Sequence, residues 1–402
     1  MAFKKAIAFV MMLAITFSIS AYAIEQPKEQ QPPQPQQPVD GLPTLKVNAK
    51  AALLMEPVTG RILLEQNSHD RLPPASVTKV MTMLIIFESV EQGKIAWDDM
   101  VTTSEHAAGM GGSQVYLETM EQQTVRDLTK AIVISSGNDA AVAMSEFIAG
   151  SEDGFVTMMN SRAKELGMLD TNFVNACGLD DPNHLTSAYD ISVMTRELIT
   201  KHPKVFEFST IWMDKIVHKT ARGVEDFGLS NTNRLLKSYP AATGLKTGST
   251  SAALYCISAT AEKNGLQLNA VVLGAPDPTT RFGEAIKMMD YGFANYAMAS
   301  GDAAGTVLGE VAVVKGNVEK VQVKVGSQVN ALIPKGKSAE LTKAIELSTS
   351  LPAPFPEGAK AGQAVYYYEG NEVGKCDLVT AAAVSRANLG DTMSRMLRKW
   401  FR

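Results

Sequence analysis

The chain has 402 residues, 45% hydrophobic and 20% charged, an ordinary globular composition with length for two or three domains. Its 38 Lys and Arg against 42 Asp and Glu give a net charge of −4, which supplies no basic field for holding phosphates and argues against nucleic acid as a partner. Three cysteines, none in a Cys-x-x-Cys pair, exclude a disulfide-rich scaffold, and the absence of a repeat of about 20–50 residues argues against a solenoid.

The N-terminus has a basic start at Lys4 and Lys5, an apolar run from Ala6 to Ile19, and Ala21-Tyr22-Ala23 as a small-x-small cleavage site. This predicts a signal peptide over residues 1–23, with an uncleaved anchor as the alternative; both imply export. Residues 24–43 are rich in Gln and Pro and cannot bury enough apolar surface to fold, so they read as an extended spacer.

Residues 44–297 mix strands and helices. The pattern predicts a hairpin over 51–67 turning at Thr59-Gly60, and a helix over 76–90 with Val77, Val80, Leu84 and Phe87 on one face. Helices follow over 124–134 and 138–149, broken at Ser135-Ser136-Gly137, and over 187–201. Strands are expected at 254–261 and 268–275, then a helix at 282–296. Residues 303–378 show short β-rich alternation with Gly and Pro punctuation and hold no candidate catalytic cluster, which suggests a small all-β domain with a spacer or docking role. In 380–402, Leu389, Met393, Met396, Leu397 and Trp400 recur at helical spacing, and from 386 onward five basic residues face one acid. That pattern fits an amphipathic helix lying at a membrane surface, or alternatively one docked on the protein itself, and is too short and charged to span a bilayer.

Three short motifs carry chemistry. Ser76 and Lys79 stand at i and i+3, on the same helix face. A serine hydroxyl needs a neighbour to take its proton, and a lysine in a partly dry pocket beside other cations is neutral enough to do so. The decoy Ser161-Arg162-Ala163-Lys164 shows that this pattern alone is weak. In Ser136-Gly137-Asn138 a second hydroxyl can relay a proton and a carboxamide can grip a substrate amide. In Lys246-Thr247-Gly248-Ser249, placed where a strand begins, Lys and Thr can hold a carboxylate, and Gly permits close backbone approach to a substrate along the strand edge.

In this order the three are the signature set of penicillin-binding proteins and serine β-lactamases. The chain resembles the low-molecular-mass penicillin-binding proteins, D-alanyl-D-alanine carboxypeptidases of peptidase family S11, over nearly its whole mature length. The resemblance rests on LPPASVTKVMT, MGGSQVYL (110–117), SGNDAAVAMSEFIAGSEDGFV (136–156), NFVNACGLDDPNH (172–184) and TGLKTGST (243–250). It implies an α+β fold: an antiparallel sheet flanked by helices with a helical subdomain, then a small all-β domain and an amphipathic anchor. The expected partners are a peptidoglycan stem peptide ending in D-Ala-D-Ala, β-lactams as covalent inhibitors, and the outer surface of the cytoplasmic membrane. No cofactor or metal is implied.

By the same resemblance Ser76 is the nucleophile and Lys79 its base. Lys246 keeps Lys79 from protonating and, with Thr247, binds the substrate carboxylate. Ser136 passes a proton to the leaving D-alanine, and Asn138 orients the scissile region. The N–H groups of Ser76 and Ser249 form the oxyanion hole beside Gly248. Arg281 is a second carboxylate candidate, Gly111, Gly112 and Ser113 shape a loop over the pocket, and Asp139 and Asp190 bond within helices. The chain departs from the family at Ala252-Ala253-Leu254-Tyr255-Cys256, where Ala-Gly usually precedes the aromatic, so pocket shape is in question there.

The alternatives are a transpeptidase or endopeptidase on the same motifs, a β-lactamase, and a non-catalytic peptidoglycan-binding protein. A class A β-lactamase would carry Glu-x-x-Leu-Asn, which the stretch from Glu165 to Asp170 does not match. None of the five histidines has zinc-peptidase spacing, and Cys177 and Cys256 read as buried small residues.

Overall fold

The structure, a computed structural model, describes residues 45–400, with the side chains of 394–399 left aside. The expected signal peptide and spacer lie outside the described residues, as do Phe401 and Arg402.

The catalytic part is built on a five-stranded antiparallel sheet: β1 (Ala51–Glu56), β2 (Arg61–Gln66), β3 (Ala242–Thr250), β4 (Leu254–Lys263) and β5 (Leu266–Ala275), in the order β2-β1-β5-β4-β3. All six residues of β1 are buried, because both faces of the sheet are covered. Ala51, Leu53 and Met55 join one core, and Ala52 and Leu54 the other, following the alternation of a strand. The β1–β2 turn is closed by the buried Glu56 carboxylate, which accepts from the N–H groups of Val58 and Thr59, both at 2.7 Å.

On the first face lies helix α1 (Lys79–Glu91), entered through a 3-10 turn over Ala75–Thr78. The expected single apolar face gives way to a helix buried nearly all round from Lys79 to Phe87, because α1 runs between the sheet and further helices. These are α2 (Val125–Ile134), α3 (Asn138–Ala149), α4 (Glu152–Glu165) and α5 (Ala188–Lys201). Side-chain caps set the starts of α2, α4 and α5: Thr124 accepts from Asp127 N, Ser151 from Gly154 N and Ser187 from Asp190 N. The decoy Ser161 and Lys164 lie on the exposed side of α4. Helix α6 (Pro278–Asn295) covers the second face of the sheet. It starts four residues earlier than its apolar pattern suggests, because Asp277 caps Thr280 N and Pro278 suits the first turn. A hairpin, Met213–Thr220 with Gly223–Ser230, carries mostly exposed residues.

The β-rich part begins before residue 303. Strand β6 (Tyr296–Ser300) pairs with β9 (Asn330–Pro334). A six-stranded sheet comprises β7 (Val307–Val314), β8 (Lys320–Val325), β10 (Thr342–Leu347), β11 (Ser350–Pro352), β12 (Lys360–Tyr368) and β13 (Asn371–Thr380). Their order is β10-β12-β13-β8-β7-β11. Bridges from Gly316 to Arg386 and from Phe355 to Val384 carry the pairing past residue 378. Strand pairing in this part thus runs from Tyr296 to Arg386, beyond the composition shift at about 303–378. Helix α7 (Leu389–Trp400) ends the described chain. Among the described residues no helix is long and apolar enough to cross a membrane.

Candidate active site

The start of α1, the break between α2 and α3, the 172–184 loop and the second half of β3 converge. Lys246 to Ser249 do not open their strand: β3 begins at Ala242, so the motif sits on its latter half, along the sheet's free edge. Gly248 is set by packing. A Cβ there would stand 2.8 Å from Pro74 O and Ser76 N and 2.9 Å from Val77 N, so only glycine lets β3 press against the turn carrying Ser76. The close approach inferred for a substrate is made first by the protein's own Ser76 turn.

Ser76 is half-buried at the N-terminal end of α1. The Lys79 amine is fully buried and donates to Ser76 Oγ at 3.0 Å, Asn138 Oδ1 at 2.6 Å and the Cys177 carbonyl at 2.8 Å. The Asn138 amide is fixed in this sense because its Nδ2 donates to Gly111 O at 2.6 Å. Once Lys79 loses a proton, its two remaining hydrogens have acceptors in Asn138 and Cys177. The lone pair then has one partner that can donate, the Ser76 hydroxyl.

Burial lowers the Lys79 pKa from 10.5 to about 8, against the opposing pull of Cys177 and Asp139. Lys246 is also buried and held well below its ordinary range, by burial first and then by the charges of Lys79 and Arg281. The depressed state of Lys79 thus follows first from its dry pocket, which the sequence suggested alongside the charge of Lys246. The Lys246 amine donates to Ser136 Oγ at 2.8 Å and to Thr247 O at 2.9 Å, which leaves one N–H for a ligand. Thr247 Oγ1 donates to Thr232 Oγ1 at 2.7 Å, and its own acceptor capacity remains. Two Ser–Lys pairs, Ser76–Lys79 and Ser136–Lys246, therefore lie close enough for the charge of Lys79 to act on Lys246. No carboxylate pairs with either lysine among the described residues, so the site suits an anionic end group.

Two of the site's turns carry backbone strain. Ala75 (φ 50°) and Ser136 (φ 62°) both occupy the left-handed region without being glycine. The loop at 110–117 is fixed by its neighbours: Ser113 O accepts from Asn138 N at 2.7 Å, and the Asp139 carboxylate accepts from Val115 N at 3.0 Å and Leu117 N at 3.1 Å. Asp139 thus ties this loop to α3 in addition to bonding Ala140 N within its own helix. Asp190 likewise reaches outside its helix, to Asp170 N and Thr171 Oγ1. Gly112 (φ 81°) passes close to Asn138, since a Cβ there would lie 2.8 Å from Asn138 Nδ2.

Arg281 lies behind the motif strand at 7% exposure. It donates to Gly248 O at 3.2 Å and Cys256 O at 3.4 Å, and stacks on Phe282 at 4.5 Å. Burial lowers its pKa to about 10. Ser249 is exposed at the lip of the strand.

Three contributors escaped the sequence reading: the Cys177 carbonyl, Gly178 beneath it, and Thr232 beside Thr247. The 172–184 run signalled likeness, but a main-chain carbonyl leaves no mark in residue type. Cys177, Cys256 and Cys376 are all buried free thiols. Among the described residues no group of three or more His, Cys, Asp or Glu is placed to hold a metal ion.

The sequence model of a family described as D-alanyl-D-alanine carboxypeptidase matches residues 33–277, and one described as the penicillin-binding protein 5 C-terminal domain matches residues 302–386. The D-alanyl-D-alanine carboxypeptidase DacF of Bacillus subtilis is 37% identical over 97% of this chain and 96% of its own. The crystal structure of penicillin-binding protein 5 from Haemophilus influenzae superposes with a TM-score of 0.72 at 32% identity, covering 86% of this chain and all of that one. Penicillin-binding protein D2 from Listeria monocytogenes, in an ampicillin-bound form, gives 0.55 at 33% identity over 62% of this chain and all of its own.

Proposed function

Because the chain belongs to the D-alanyl-D-alanine carboxypeptidase family of penicillin-binding proteins, we propose that its two Ser–Lys pairs divide the work of one acyl-transfer cycle. The protein is a serine-type D-Ala-D-Ala carboxypeptidase of the cell wall. Its substrate is the peptidoglycan stem peptide, and β-lactams, which mimic the acyl-D-Ala-D-Ala end, bind the same site.

The terminal carboxylate of the stem peptide docks against Lys246 and accepts from Thr247, whose hydroxyl turns from Thr232 to donate to it, with Arg281 adding positive field from behind Gly248. Ser76 Oγ attacks the carbonyl of the penultimate D-alanine while neutral Lys79 takes the hydroxyl proton. Negative charge on the carbonyl oxygen is met by the N–H groups of Ser76 and Ser249, each worth about 3–4 kcal/mol in such a position. As the tetrahedral centre collapses, the C–N bond breaks and the departing amine receives, through Ser136, the proton that Lys79 took, which returns Lys79 to its neutral form. Asn138 holds the reacting carbonyl and Lys79 in register. Water then attacks the Ser76 ester, with Lys79 again as base. A penicillin follows the first half of this path and stays on Ser76 as an ester. The observation that carries the reading is the contact set of Lys79, whose two other neighbours are acceptors and so aim its lone pair at Ser76.

The reaction is tested with a pentapeptide ending in D-Ala-D-Ala. Free D-alanine and a tetrapeptide are expected; cross-linked dimer in their place, with Ser76 still acylated, would make the chain a transpeptidase.

Members of the family work outside the cytoplasm. Residues 1–23 export this one, and α7 holds it at the outer face of the cytoplasmic membrane. Support for the anchor comes from Leu389, Met393 and Trp400, which form one stripe of α7 and are 82%, 59% and 88% exposed instead of docked on the protein. Removing residues 389–402, the helix alone, is expected to shift the protein from the membrane to the soluble fraction, with D-alanine release retained. An unchanged membrane fraction would refute the anchor.

A further inference from the structure

A groove lies past the turn that ends β3, lined by Lys46, Lys50, Leu254, Gly274, Glu284 and Lys287. It shares that turn with the catalytic strand, since Leu254 pairs with Thr250, the last residue of β3. Leu254 holds φ 58°, a backbone state favouring glycine, at the place where the family pattern has Gly. Strain of this kind persists where surrounding structure imposes it, commonly at ligand sites. Gly274, at φ 68°, leaves space for the Lys50 stem to lie across the groove floor, because a Cβ there would stand 2.7 Å from Lys50 Cδ. The charge is one-sided. Lys46 and Lys50 are exposed and form no ion pair among the described residues. The Lys287 amine is held by Lys46 O at 2.6 Å and Glu284 at 3.1 Å.

The order of residues along β3 gives the direction of a bound peptide. Its terminal carboxylate meets Lys246 and Thr247, and its scissile carbonyl lies beside Gly248, against which the Ser76 turn packs. The acyl arm must then continue past Ser249 and Thr250 to the Leu254 turn. We propose that this lysine groove binds a carboxylate on the acyl arm of the stem peptide, an inference that rests on the carboxypeptidase reading of the Ser76 site. Stem peptides offer that group in two places: the free α-carboxylate of a γ-linked D-glutamyl residue, and the side-chain carboxylate of a diaminopimelate third residue.

The test uses the full chain and its Lys46→Ala/Lys50→Ala variant, with D-alanine release as the readout. The probes are L-Ala-γ-D-Glu-L-Lys-D-Ala-D-Ala, its twin amidated at the D-glutamyl α-carboxyl, and the free-acid peptide with diaminopimelate in place of lysine. The unaltered protein is expected to favour a carboxylate-bearing peptide, by kcat/KM, over its carboxylate-free partner. The variant should reduce that preference about fivefold, the size expected for a pair of solvent-exposed ion pairs, and added salt should reduce it in the unaltered protein. A loss confined to the glutamyl pair of peptides places that carboxylate in the groove; a loss confined to the diaminopimelate peptide places the other. Equal kcat/KM ratios in variant and parent for every pair would overturn the proposal. Failure of the carboxypeptidase reading looks different: the unaltered protein would release D-alanine from none of the three.

Discussion

Replacing Lys79 with methionine is expected to slow acylation of Ser76 about 10³-fold and to remove the pH dependence of that step. General-base assistance is worth about 10²–10⁴ in rate, and no other described side chain stands ready to take the Ser76 proton. The amine is within hydrogen-bond reach of Ser76 Oγ, and Asn138 Oδ1 and Cys177 O occupy its other hydrogens. The direction of the pH effect follows from the lowered pKa. Below about 8 Lys79 is mainly an ammonium with no lone pair to offer, and above it mainly a free amine. In the unaltered protein kcat/KM for a D-Ala-D-Ala peptide should therefore rise as pH increases from 6, and level off above about 8. The methionine variant should be slow and flat over the same range. A variant that kept the rising limb would assign the base to another group. Stopped-flow acylation with a chromogenic cephalosporin, repeated across pH, reads both quantities.

Gly178→Ala is expected to destabilise the catalytic part by about 3 kcal/mol. Gly178 adopts φ 89°, where a side chain is strained, and a Cβ there would overlap the Ala75 carbonyl and come within 2.8 Å of Thr78 Oγ1. Overpacking against fixed backbone costs about 1–3 kcal/mol, and the left-handed conformation about 1–2 more. Relief requires the 172–184 loop to move away from the Ser76 turn, and the adjacent Cys177 carbonyl would move off the Lys79 amine with it. Stability and acylation should therefore fall together. Denaturant unfolding followed by tryptophan fluorescence should show a lower midpoint at unchanged slope. A midpoint equal to that of the parent would mean that the loop tolerates the methyl group and that the packing described here is looser than drawn.

The parts of the fold that were legible in the sequence were those governed by local rules. Ser135-Ser136-Gly137 breaks two helices because a small polar stretch with glycine cannot continue the apolar period, and the structure separates α2 from α3 there. The 51–67 hairpin was readable from its turn. What tertiary packing decides was not readable. Helix α1 showed one apolar stripe, yet it is buried nearly all round because its position between sheet and helices was invisible. The hairpin at 213–230 escaped because its exposed strands carry no apolar alternation. At the site, the motifs named the side chains proposed to react but not what holds them. Gly248 and Gly178 are glycine because two backbones touch, and Cys177 contributes through its carbonyl, which any residue type would have supplied. The source of the lowered Lys79 pKa, burial, likewise needed the three-dimensional surroundings.

Ser76 is the proposed nucleophile of this enzyme. Intact-mass analysis of the protein after incubation with benzylpenicillin tests that assignment directly. One penicillin per chain is expected, located by peptide mapping on the segment containing Ser76, and none is expected on a folded Ser76→Ala variant. An adduct of the same stoichiometry on that variant, or none on the unaltered protein, would contradict the account.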